Sequence, residues 1–450
     1  MVYDVTEQEE ALNSFDAARR RDALEELVDA VRAGDVVFPE PRPIVNVHQH
    51  TFFSFNGYGY SPSFLAWRSR REGLLVAGIV DFDVLDGVDE FLDAGRLLGL
   101  RTTAGLETRV YVPGLAHQVM NSPGEPGIAY YMGVGFVSKQ SADREMLSHL
   151  KSTAQARNVA MLERVNRYLT PVEIDYERDV LPLTPSGNPT ERHLCKAYDL
   201  KARLVFPQKE ALVAFWKEKL GVDEARLERA MLNAPVFQGL IRSKLMKAGG
   251  PGYIKPDGPD FPLLDDVASF ARRGGAVPTY AWLDGTTDGE ENVARLLDTV
   301  MAAGTVAVNI IPDRNWNFED PAVKHTKVEA LYTFVRAVNE RGLPIAVGTE
   351  MNAYGQPFVD RFDVPELQPV VEDFVRGALI FYGHTVLQQA AGLGYVSDWA
   401  ARHFQSLQDK NAFYHEVGKL ADPSKAPEHY RLRAEMTPDD VRRALRQGAA

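Results

Sequence analysis

Two blocks of short apolar runs, separated by stretches of helical spacing, dominate this chain and restrict what it can fold into. In the first block, apolar runs at 44–47 and 74–82 and a strand-like stretch at 101–112 surround an amphipathic pattern at 86–98 that Gly99 stops. In the second, runs at 276–282, 305–311 and 343–350 alternate with helical patterns at 291–303 and 321–341. Strands joined through a helix pair in parallel, because the chain must cross back to the same end before the next strand begins. The sequence therefore predicts an α/β protein with parallel strands.

The rhythm fails between the blocks. Residues 140–250 show helical spacing without strand runs, and Gly249-Gly-Pro-Gly252 reads as the hinge back. Residues 6–34 read as one helix, with Thr6 and Glu9 at capping-box spacing and Gly34 as its stop. Beyond residue 365 the spacing is helical to the end. The expected organisation is an N-terminal helical segment (1–42), a first α/β part (43–139), a helical insertion (140–252), a second α/β part (253–362) and a helical C-terminal extension (363–450).

Composition excludes several classes. With 450 residues and 45% hydrophobic content the chain can bury a large core. A formal net charge of -12 argues against a nucleic-acid partner, which needs a basic footprint, but allows a small anion in a locally positive pocket. Cys195 is the single cysteine, so no intrachain disulfide forms and any zinc is held by histidine and carboxylate. No apolar run reaches the roughly 20 residues that span a bilayer, and the acidic N-terminus has no signal core. The expected partner is a small-molecule substrate, with no membrane, in the cytoplasm; the oligomeric state is not legible.

In such architectures chemistry gathers where parallel strands end. The first run ends in His48-Gln-His50, and residues two apart on a strand share a face, so both imidazoles project together. Other strand ends supply Asp81 to Asp83, Glu107, Trp282, Asp313 with Arg314, and Glu350 with Asn352. His48, His50, Glu107 and Glu350 make a set of two nitrogens and two carboxylates that suits zinc, manganese or iron. Asp81, Asp83, His193, Asp313 and His384 are the candidate general acids or bases. Arg109, Arg192, Lys255 and Arg314 are the candidates for holding an anion. Aromatic residues 52–60 and Trp282 read either as a wall of the site or as core. His384 could reach over the strand ends, and residues 184–190 could lid them; the ordinary reading of both stretches is structural.

The order of these motifs resembles the PHP family, the polymerase and histidinol phosphatase domain. Its usual forms are His-x-His-x-x-x-x-Asp, Asp-His-Asp-x-x-x-Gly, Gly-x-Glu, Ala-His-Pro and Gly-Ser-Asp-x-His. Here they become His48-Gln-His50, Asp81-Phe-Asp-Val-Leu-Asp-Gly87, Gly105-Leu-Glu107, Ala281-Trp282 and Gly348-Thr-Glu-Met-Asn352, over segments 43–137 and 253–355. The resemblance implies a distorted seven-stranded (β/α) barrel and phosphoester hydrolysis with up to three metals. Several family positions are replaced: Phe55 stands for an aspartate, Phe82 and Trp282 for histidines, Tyr130 or Tyr131 for another, and Asn352 for the last. Phenylalanine and tryptophan do not bind divalent cations. The positions the family assigns to one metal, His48, His50, Glu107 and Glu350, can all still ligate.

The expectation is thus a PHP-like barrel with one divalent ion. Its leading activity is hydrolysis of a small anionic substrate, phosphoesterase-like by resemblance. Asp81 or Asp313 would accept the proton of the attacking water, and Arg109 or Arg314 would steady the developing charge. A metal-dependent lyase or isomerase acting on a carbonyl or hydroxy acid is the alternative, as is a binding protein without catalysis.

Overall fold

A computed structural model describes residues 4–448 of the chain. Seven strands form one sheet in sequence order: β1 (Arg42–Gln49), β2 (Leu74–Phe82), β3 (Arg101–Tyr111), β4 (Ile128–Val134), β5 (Val277–Trp282), β6 (Ala307–Ile310) and β7 (Ile345–Val347). The sheet curls until its edges meet at one point. A bridge joins Gln49 to Glu350, with the Glu350 amide on His48 O at 2.8 Å and the His50 amide on Glu350 O at 2.7 Å. The result is an α/β fold built on a nearly closed seven-stranded barrel.

Not every strand is parallel. β1, β2 and β3 run together, as do β5, β6 and β7, but β4 is antiparallel to both its neighbours. The cause lies in the β3–β4 connection. Residues 112–127 hold only a single 3-10 turn and no crossover helix, so the chain comes straight back. β4 therefore starts at the mouth, where the parallel strands end, and finishes at the floor.

Helices Pro62–Arg71, Val88–Leu98, Leu264–Arg273, Val293–Ala302 and Pro321–Glu340 cover the barrel. Residues 6–34 are not one helix but two, Thr6–Ala11 and Ala17–Ala33. Asp16 caps the second by accepting from the Ala18 amide, and Thr6 lies inside the first rather than capping it. An aspartate in an extended backbone favours starting a new helix over continuing the old one. Between β4 and the barrel helix Leu264–Arg273 the chain forms five α-helices, from Arg144–Leu169 to Ala234–Leu245, around a hydrophobic cluster of their own.

The C-terminal helices close the floor. Helix Val371–Ala391 lies against β7 and β1 to β3. It approaches closely because Gly377 has no side chain; a Cβ there would stand 1.9 Å from Ile345 O. Helix Leu407–Leu420 packs on it through Gly383 and Gly418, each of which faces backbone carbonyl oxygen of the other helix. Among the described residues no helix is long and apolar enough to cross a membrane.

Candidate metal centre

β1 delivers three polar side chains into the barrel. Asn46, His48 and His50 alternate with Val45 and Val47, and all five are fully buried. Two strands along, β3 presents Glu107. Its Oε2 lies 3.1 Å from His50 Nε2 and 3.6 Å from His48 Nε2. Neither contact has the direction of a hydrogen bond, and all three atoms are buried without a hydrogen-bond partner.

The far nitrogen of each ring explains this. His48 Nδ1 sits 2.9 Å from Asn309 Oδ1, and the Asn309 amide nitrogen donates to Ala346 O, so Nδ1–H is the donor. His50 Nδ1 sits 3.2 Å from Ser54 Oγ, whose own proton goes to Asp81 Oδ1 at 2.6 Å. Both rings thus carry their proton on Nδ1 and turn a bare Nε2 lone pair toward Glu107. Three buried lone-pair atoms facing one another repel unless a cation lies among them. Bonds of about 2.0–2.1 Å in tetrahedral geometry place donors about 3.3 Å apart, close to the observed separations. Two nitrogens and a carboxylate oxygen fit zinc, manganese or iron(II).

Without an ion, the Glu107 carboxylate and the His48 imidazole also favour each other's charged forms. Burial alone would raise the Glu107 pKa, but the two imidazoles facing it bring it down to about 2. Burial alone would lower that of His48, yet the Glu107 carboxylate, with Glu350 and Asn309 behind it, carries it above the ordinary imidazole value.

Glu350 does not join the three. The cluster able to hold a metal is His48, His50 and Glu107. Glu350 leaves β7 in a left-handed backbone, φ 61°, and its Oε2 accepts from Arg314 Nη2 at 2.8 Å and Gln356 Nε2 at 3.1 Å. An arginine partner already neutralises that carboxylate. The expected four-residue set is therefore three residues, with Glu350 and Arg314 paired beside them.

Asp81 is likewise misplaced for the proton transfer expected of it. Phe82 pairs with Glu107 in the β2–β3 register and shares its face, so Asp81 points the other way. Its Oδ1 accepts from the Thr51 amide and Ser54 Oγ, and its Oδ2 from Thr51 Oγ1. Asp81 aims Ser54, which aims His50. Groups behind a ligand are typically worth about 10–100-fold in metal affinity. Ser54→Ala and Asp81→Asn are each expected to weaken metal binding within that range at unchanged stoichiometry, read by competition with a chromogenic chelator. Unchanged affinity in both variants would sink this relay.

The other expected residues scatter. His384 lies at the floor: its Nε2 meets Gly135 O at 3.0 Å and its Nδ1 accepts from the Tyr395 amide at 2.8 Å. Both nitrogens are occupied and burial takes its pKa down to about 4, so it is a neutral packing residue far from the mouth. His193 Nδ1 accepts from the Thr190 amide in a capping box, and burial takes its pKa down to about 3. Asp313 opens a short helix after β6, with Oδ1 on Asn317. Lys255 is exposed and outside the cluster. Trp282 faces the outer layer, stacked on Phe334 at 4.3 Å, and is core rather than site wall.

Aromatic replacements line the mouth. Phe82 stacks on His50 at 4.2 Å, and Phe55 meets His193 edge-on at 5.1 Å. Residues 184–190 reach the same place, since Asn188 donates to Phe82 O at 2.8 Å and Phe53 O at 3.2 Å. Arg109 pairs with Glu125 at 2.7 Å, and Ser122 Oγ holds the same carboxylate oxygen. Asp83 accepts from Thr108 Oγ1 at 2.6 Å; burial raises its pKa against the pull of Thr108, Arg157 and Arg109. Asp83, Glu350 and Met351 are three of the four non-glycine residues with positive φ among the described residues, and such strain concentrates at working sites.

Reading the sequence missed Ser54, Glu125, Arg157 and Asn309. Asn309 left a trace, as a polar residue inside an apolar strand run. Arg157 left none, since it is one of several cations on a long helix.

No family model matches the chain, so the likeness to the PHP domain remains one of motif order. No curated protein matches it either. Among solved structures, an amidohydrolase from Chromobacterium violaceum, with bound sulfate and no metal, is 15% identical at a TM-score of 0.47; the likeness covers 74% of this chain and 96% of that one. A protein from Bifidobacterium adolescentis, assigned as a metal-dependent phosphoesterase, is 19% identical at a TM-score of 0.44, covering 74% of this chain and 98% of the other. Both likenesses are too distant to bear on activity.

Proposed function

We propose that this chain is a metal-dependent hydrolase of a small anionic substrate, with one divalent ion held by His48, His50 and Glu107. The observation that carries the reading is the convergence of three buried, unpartnered donor atoms inside a barrel mouth. When bound, the ion supplies Lewis acidity toward a carbonyl or phosphoryl oxygen and toward a water.

The chain's own groups do the remainder. Asn309 and the Asp81–Ser54 pair hold the two imidazoles in one orientation. Phe82, stacked on His50, keeps solvent from that side. Asp83, beside Glu107 and with its proton affinity raised by burial, is placed to accept a proton at its carboxylate. It takes this role in place of Asp81. Arg109, two residues from Glu107 on β3, and Arg314, paired with Glu350, steady negative charge. Phosphoester cleavage is the family-level expectation; amide and ester cleavage use the same parts.

A panel of phosphomonoesters, N-acyl amino acids and lactones, beside hydroxy acids, tests the reading with Glu107→Gln as control. Hydrolysis that vanishes in Glu107→Gln supports it. Turnover confined to hydroxy acids, without water consumed, replaces it with the lyase or isomerase alternative. Hydrolysis equal in wild type and Glu107→Gln refutes it.

A further inference from the structure

The helical insertion brings cations to the mouth, and they differ in how they are satisfied. Arg242 and Lys247 both bind Glu191, at 2.9 and 2.8 Å. Arg109 binds Glu125 and Arg314 binds Glu350. Two guanidiniums are different: among the described residues neither has an ion-pair or hydrogen-bond partner. Arg192 lies over the Phe55 ring at 5.5 Å. Arg157, on helix Arg144–Leu169, is half-buried and rests 4.5 Å from the centre of the Phe261 ring.

Arg109 rests on the same ring, at 4.7 Å. One buried phenyl thus braces two guanidiniums as neighbours, and a single carboxylate, Glu125, is shared with one of them. The nearby Asp83 carboxylate acts on both guanidiniums through its charge, but its hydrogen bond is to Thr108, so the Arg157 N–H donors stay without an acceptor. Donors left unpaired in partial burial are costly unless an acceptor such as a ligand oxyanion meets them. Burial and the neighbouring Arg109 charge pull the Arg157 pKa down to about 10, which still leaves it charged at neutral pH.

The placement relative to the metal centre is set by β3. Arg109 follows Glu107 by two residues, so both side chains share a face, about 7 Å apart along the strand. Tyr130 stands opposite Arg109 in the β3–β4 register, and the face is the one that looks into the mouth.

We propose that Arg157 and Arg109, braced by Phe261, form a binding site for an oxyanion of the substrate, a carboxylate or phosphate distinct from the group that reacts. The substrate is then a small acid. Its anionic end sits under the insertion, and its reacting carbonyl or phosphoryl group lies a few bonds away, toward His48, His50 and Glu107. The position of the reacting group rests on the function proposed above; the anion site does not.

Inorganic phosphate and succinate, titrated calorimetrically into the full-length protein with and without chelator, test this. Both wild-type forms are expected to bind one or both anions. Arg157→Gln is expected to weaken binding about tenfold or more, Arg157→Lys less, and Phe261→Leu severalfold. Preference between the two anions identifies the substrate's end group. Binding that survives His48→Ala while metal is lost keeps this site distinct from the metal centre. Binding that disappears with chelator or His48→Ala but persists in Arg157→Gln and Phe261→Leu puts the anion on the metal, and overturns the proposal without touching the metal reading. Absence of binding by either anion to wild type also overturns it. Should metal fail to bind while Arg157-dependent anion binding remains, the hydrolase reading falls and this one stands.

Discussion

Protein purified without chelator and reloaded with divalent metal is expected to hold about one ion per chain, and His50→Ala less than about a tenth of that, by elemental analysis after gel filtration. The magnitude follows from the ligand count. Structural zinc sites bind with about 10–16 kcal/mol over about four donors, so one donor is worth about 3 kcal/mol, or a factor of about 100. Here the protein offers three donors, and losing one leaves Glu107 buried against a single imidazole. Glu107→Gln keeps the shape and removes the charge, and is expected to lose the ion as fully. Hydrolysis, if it depends on that ion, falls by about 1,000-fold or more, since metal polarisation contributes several kcal/mol to the barrier. Retention of a full equivalent of metal in both variants would leave the site assigned here without support.

Gly348→Ala should damage the same centre without altering any residue that binds the ion. A Cβ at Gly348 would lie 2.4 Å from Asn46 Oδ1 and 2.6 Å from both His48 N and His48 Cβ. Main-chain atoms cannot move aside as a flexible side chain does, so β1 must shift where it carries His48. Overpacking a core costs about 1–3 kcal/mol, and a clash with backbone belongs at the upper end. A displaced imidazole then costs metal affinity by about 10–100-fold, as misplaced supporting groups do. The expected result is a lower thermal midpoint together with weakened metal binding. An alanine variant that matches wild type in both would show that β1 and β7 are not packed as described.

The fold was largely legible, because its signals are local. The stretches at 74–82 and 101–112 became β2 and β3 nearly residue for residue; the first is a nearly continuous apolar run, as a buried strand writes itself, and the second is rich in threonine and other strand-favouring residues. The antiparallel β4 was not legible. Tyr130-Tyr-Met-Gly-Val134 has no feature that specifies direction; the short loop before it does. The break at residues 12–16 was passed over because apolar spacing continues through it, while a capping aspartate decides the matter.

The centre divides in the same way. His48 and His50 share a face by the alternation of a strand, which any extended chain obeys, and Glu107 ends a strand by the same counting. These relations belong to the amino-acid sequence alone, as do the absence of a disulfide and the alternating α/β order. What lies between strands belonged to the tertiary structure. Asp81 and Phe82 are adjacent in sequence, yet only the β2–β3 register shows that the phenylalanine faces Glu107 and the aspartate faces away. Glu350 was expected among the metal-binding residues, but Arg314 and Gln356 hold its carboxylate. His384 was a candidate acid or base whose ordinary reading was a satisfied buried histidine; only the structure shows that the helix carrying it crosses the floor, with both ring nitrogens occupied. Arg157 comes to Arg109 from 48 positions along the chain, through a ring still further away at Phe261. Side-chain periodicity is a property of a few consecutive residues and can be read from them. Which carboxylate meets which cation depends on distances between segments remote in sequence, and packing sets those distances only once the barrel has closed.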